Sequence, residues 1–241
     1  MKKNRWQFVF GLSLMGLSAL FYILHFFIFR DPHHIFIYLV SDIAFVFVEV
    51  LMVTLIIHQL LSKREKKERI EKLNLVIGSF FSELGTQLLF QFSRNDPGID
   101  TVKNELLVNK EWDKTRYAAA KKSLEKHVFH VEIQEDFLEN LLLCLAEKRD
   151  FLLRILENPT LHEHESFTDL IYAVFHLFEE LNVRKQEGRF REDDKDHISG
   201  DIKRAYSLMV LQWLNYACYL QHNYPFLFSF TSFNNPFTKI A

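Results

Sequence analysis

Residues 35–61 read IFIYLVSDIAFVFVEVLMVTLIIHQLL, 27 almost wholly apolar residues interrupted by two carboxylic acids, Asp42 and Glu49. About 20 apolar residues, rising roughly 1.5 Å each, cross the hydrocarbon of a bilayer. The run therefore predicts a transmembrane helix. Directly after it come Lys63, Arg64, Lys66 and Lys67, a basic cluster of the kind retained on the cytoplasmic side.

Working outward to the N-terminus, residues 6–29 form a second apolar run, opened by Lys2, Lys3 and Arg5 and by Trp6 at the place of an interfacial aromatic. It ends in His-Phe-Phe-Ile-Phe-Arg rather than at a small-residue cleavage site, so it reads as a first span and not a signal peptide. Residues 30–34 leave room only for a tight turn. Basic residues flank both ends of the hairpin, which places both termini in the cytoplasm and the protein in the cell (inner, cytoplasmic) membrane as a multi-pass chain.

Working outward the other way, Ile70, Leu73, Ile77, Phe80, Leu84 and Leu88 recur at three- and four-residue steps, the mark of a narrow apolar seam on a helix. With no breaker before it, the second span is expected to continue into this helix. Gly78 and Gly85, seven apart, share one face and invite a close neighbour. Asn95-Asp96-Pro97-Gly98 is a turn. Four more helices are predicted, over 100–127, 135–157, 166 onward and 194–221, with Ser166 and Asp169 resembling a cap and its capping acid. A polar linker covers 186–196. The tail Tyr-Pro-Phe-Leu-Phe-Ser-Phe, residues 224–230, is apolar enough to require a docking place.

The fold class that follows is an all-α membrane protein. An N-terminal two-helix transmembrane hairpin covers 1–61, a juxtamembrane, amphipathic, coiled-coil-like helix 62–95, and a cytoplasmic helical bundle with an aromatic tail 96–241. A net charge of −2, with Lys and Arg interleaved among Asp and Glu, gives no nucleic-acid-binding surface. Cys144 and Cys218 each sit in an apolar helical run and read as buried thiols in a reducing compartment.

Three sets of residues could carry function. Asp42 and Glu49 lie about 20° apart on one helix face, and an intramembrane acid normally faces protein or water. They read either as a ring guiding cations or protons in an oligomer or as glue between helices, with His25 near the depth of Asp42 as its partner. The second set is His162, His164, Asp169, His176, Glu180, His197 and Asp201, the residue types from which bundles build metal sites. The Glu-x-x-His pairs of di-metal bundles are missing, as is His-Glu-x-x-His. The third set, Lys63, Arg64, Lys66 and Lys67, suits anionic headgroups, although Glu65, Glu68 and Glu71 interrupt it.

No nucleophile motif or phosphate-cradling loop occurs, which points away from an enzyme. The expected function is a membrane-anchored, homo-oligomeric interaction or sensing module whose helical domain binds a cytoplasmic protein or a small effector. A cation or proton channel lined by Asp42 and Glu49 is the alternative, and a membrane-bound metalloprotein the second alternative. No cofactor is expected beyond a metal ion at the His/Glu cluster.

Overall fold

The computed structural model describes residues 2–186 and 192–238, and all regular structure among them is helical. Residues 187–191 of the expected polar linker, and the side chains of the basic residues at 2, 3 and 5, lie outside the description. The chain divides into two compact units, Met1–Lys66 and Lys67–Ala241.

The first unit contains α1 (Lys2–Phe29) and most of α2 (Pro32–Phe80). The connector is shorter than expected. Asp31 accepts the backbone N–H of His33 at 2.9 Å, and Pro32 occupies the first helical position, so an Asp-Pro start nucleates α2 three residues before Ile35. Arg30 closes α1 in the left-handed region, at φ 49°, its N–H donating to Phe26 O at 2.8 Å. That conformation costs a side-chain-bearing residue roughly 1–2 kcal/mol. Two helices are long and apolar enough to cross a membrane among the described residues: Phe8–Phe29, and one within the continuous run Ile35–Arg94.

The second unit has its own core. The seam residues Leu73, Ile77, Phe80, Leu84 and Leu88 are buried in it, while Ile70 is exposed. The expected uninterrupted helix contains a π turn, Phe81–Gly85, before α3 (Thr86–Arg94). Thr86 satisfies the widened turn by donating both its N–H and its Oγ1 to Phe81 O, the latter at 2.7 Å.

Residues 100–127 are not one helix. They form two 3-10 turns, Ile99–Thr101 and Lys103–Glu105, then α4 (Lys114–Leu124), which Asp113 opens by accepting the Arg116 N–H at 2.7 Å. The irregular stretch is held by the tail: Asn235 Nδ2 donates to Leu106 O at 2.9 Å and Ser232 Oγ to Val108 O at 3.0 Å. The predicted helix over 135–157 is two, α5 (Glu135–Glu147) and α6 (Arg149–Leu156), broken at Lys148. Its leucine stripe is interrupted by Lys148-Arg149-Asp150, and Leu145 and Leu152 on either side are both buried.

α7 (Glu165–Gln186) and α8 (Glu192–Asn223) form the most extensive helix pair. His164, rather than Ser166, caps α7: its Nδ1 accepts the Phe167 N–H at 3.4 Å. Tyr206, Met209 and Trp213 of α8 fill the centre. The tail forms α9 (Pro225–Phe233), whose Phe228 is buried, followed by Phe237, which meets Trp213 edge-on at 5.3 Å.

Candidate functional site

The end of α2, the π turn, the α5–α6 junction, α8 and α9 border an open groove of about 840 Å³. Its base is a close approach at Gly78: a Cβ there would lie 2.6 Å from the Tyr216 hydroxyl, so the tyrosine would have to shift. The close neighbour anticipated for Gly78 is therefore Tyr216. A Cβ on Gly85 would instead strike Phe80 and Phe81 of its own segment, at 2.7 and 2.8 Å.

The Tyr216 ring stacks on Phe81 of the π turn, 5.7 Å between centroids and 13° between planes, so the irregular turn positions the groove's aromatic base. π turns recur at functional sites. One rim is charged, with Lys148 Nζ donating to Glu83 Oε2 at 3.2 Å; another is apolar, with Leu75 and Leu227 exposed. A smaller cavity of about 380 Å³ shares Gly78, Tyr216 and Leu227 and extends to Trp213 and Phe230. Tyr219, also on the groove, is pushed up to about 12 by burial and then by its hydrogen bond with Tyr224, so it remains a phenol.

Burial raises the thiols of Cys144 and Cys218, the opposite of an activated nucleophile. Phe226, Phe230 and Phe233, at i, i+4 and i+7 on α9, project an apolar stripe, 87%, 69% and 83% exposed. The sequence announced that the tail was apolar. It gave no sign that one half would dock and the other half face outward.

Within the first unit, a cleft of about 880 Å³ is lined by Tyr22, His25, Tyr38 and Asp42, among others. His25 and Asp42 thus reach the same cleft. His25 Nδ1 is buried with no hydrogen-bond partner, and its ring packs on Phe29 at 4.7 Å. Asp42 and Glu49 are exposed. Lys63, Arg64, Lys66 and Lys67 are exposed on α2, and Lys67 pairs with Glu71 at 3.8 Å.

Of the seven histidines and acids grouped by sequence, the structure brings three together. His176 of α7 and His197 and Asp201 of α8 have ligand atoms within 4.8 Å of one another. Glu180 is occupied by Arg184, 2.9 Å away, His164 caps α7, and His162 and Asp169 are exposed elsewhere.

A buried carboxyl group lay outside all of these sets. Asp96 is 3% exposed, its Oδ1 accepting from Gly98 N at 2.9 Å and its Oδ2 unpartnered. Burial raises its carboxyl above the ordinary range, against the Gly98 hydrogen bond and the charges of His127 and His130.

Residues 69–232 match a family model described as "Uncharacterized protein MJ1433, C-terminal helical domain", and residues 2–61 match "MJ1433, N-terminal helical domain". The chain is similar to uncharacterized protein MJ1433 of Methanocaldococcus jannaschii, 41% identical over 237 residues that cover 98% of this chain and 95% of the relative. No solved structure matches it.

Proposed function

We propose, since the chain belongs to the MJ1433 family across both helical parts, that it is a membrane-anchored, homo-oligomeric helical module whose second unit binds a cytoplasmic protein. One observation carries the anchoring: apolar side chains in the first unit are exposed along the helices, Phe8 at 74% and Phe47 at 76% among them. In water such a surface aggregates; in a bilayer it is solvated. The basic residues after the second span favour an orientation with both termini in the cytoplasm.

The groove at Gly78 and Tyr216, beside the α9 phenylalanine stripe, is the surface offered to the partner. Aromatic anchors in a pocket with a polar rim are the usual carriers of binding energy. The test is in-cell crosslinking of the full chain, followed by purification from membranes. A protein captured by wild type and lost in both Ser82→Trp, which fills the groove, and Phe230→Asp supports this reading. Capture of nothing, or capture indifferent to both changes, overturns it.

A second reading rests on Asp42 and Glu49, exposed on an apolar helix where a charge costs at least about 2.5–3.5 kcal/mol on insertion scales. In a homo-oligomer they would surround a cation or proton path. Loss of flux in Asp42→Asn and Glu49→Gln with native mass unchanged supports it. Dissociation of the oligomer makes the acids glue instead.

A further inference from the structure

We propose that His176, His197 and Asp201 bind a divalent transition-metal ion of the zinc class, with a solvent molecule completing its coordination. His197 and Asp201 are one helical turn apart on α8, and the α7–α8 packing brings His176 to them. His176 Nε2 lies 3.7 Å and His197 Nε2 3.6 Å from the same oxygen, Asp201 Oδ2. Both distances are too long for hydrogen bonds.

These two distances are close to the edge of a tetrahedron, and the imidazole ligand atoms lie within 4.8 Å of each other. Ligand atoms bonded to zinc at about 2.0–2.1 Å stand roughly 3.4 Å apart. An octahedral face of the two-histidine, one-carboxylate type would need about 3 Å.

The second observation is Asp201 itself. Its side chain is 15% exposed, and Oδ2 is buried without a hydrogen-bond partner. A carboxylate oxygen left so, between two imidazole nitrogens, is supplied with what it lacks by a cation. The two histidines are 50% and 58% exposed, so an ion has a route in from solvent and an open coordination position faces outward.

Imidazole and carboxylate are borderline-to-hard ligands that suit zinc over calcium or magnesium. Three protein ligands with one open position distinguish this from closed structural sites. The ion would bridge α7 to α8 and link the two central helices of the unit.

The test uses the full chain in detergent micelles with Co²⁺ as a spectroscopic probe and Zn²⁺ as competitor. The expected result is one Co²⁺ per chain with intense visible bands of four-coordinate geometry, displaced by Zn²⁺. His176→Gln and His197→Gln, both at surface positions, should each weaken binding by more than the roughly tenfold to hundredfold that outer-shell losses cost. Zn²⁺ should raise the melting temperature of wild type and leave both variants unmoved. No uptake, uptake unchanged in both variants, or a pale six-coordinate spectrum each overturns the assignment. In the first case the histidines are polar neighbours of Asp201 and nothing more.

Discussion

The two units are built from the same kinds of residue and dispose of them in opposite ways. Phe47, in Met1–Lys66, is 76% exposed, whereas Phe80, Phe92 and Phe167, in Lys67–Ala241, are wholly buried. The difference lies in how densely the apolar residues are set and in how they are spaced. Around α1 and the first part of α2 the apolar residues cover every side, so no face can turn inward. In the second unit they form stripes three and four residues apart, and each helix has one face to bury. Hydrophobic residues tell where a chain goes only once their period is read.

The contrast can be pressed hardest by truncation. Trp213, 1% exposed at the centre of the second unit, should cost about 3–5 kcal/mol when replaced by alanine, read by denaturant or thermal melting. Leu51→Ala, 59% exposed in the first unit, should leave that melting transition where it is. A large shift from Leu51→Ala would mean that the first unit holds up the second.

Smaller effects separate the second unit's local devices. Asp113→Ala removes the acceptor of the Arg116 N–H at the start of α4 and should lower stability by about 1 kcal/mol. Gly78→Ala sets a helix-propensity gain of about 1 kcal/mol against a clash with the Tyr216 hydroxyl. Alone it should therefore be neutral or destabilising, and in a Tyr216→Phe background it should stabilise. Additive effects in that double-mutant cycle would show that the contact at the groove's base is not made.

The smallest effect is a slope. Asp96 has a folded pKa above its ordinary 3.8 because it is buried, so folding favours its protonated form. Its contribution to stability is fullest below 3.8 and declines as pH rises through the folded value. Asp96→Asn, able to keep the acceptor to Gly98 N, should remove this decline. Stability curves for wild type and variant that run parallel with pH would contradict it.

The helical class, the turn at Asn95–Gly98 and the apolar seam from Leu73 to Leu88 could be read from spacing, because each is a local pattern. What could not be read depends on contacts far apart in sequence. The π turn sets Phe81 against Tyr216, a contact no local pattern shows. The break at Lys148 has neither glycine nor proline to mark it. The irregular stretch after Ile99 is stable because Ser232 and Asn235, more than 120 residues away, take its carbonyls. The candidate metal ligands divide the same way. His197 and Asp201 are one turn apart and visible as a pair, whereas His176 joins them only through the register of α7 on α8. Glu180 was misleading, since Arg184 one turn on claims it.

The most direct test of the contrast compares the full chain with residues 67–241 alone, each expressed in cells whose membranes are then washed with alkaline carbonate. Anchoring through the first unit requires the full chain to stay with the membranes and the shorter chain to appear in the supernatant, helical and melting cooperatively. Release of the full chain by carbonate, or a shorter chain that stays with the membranes, would contradict it.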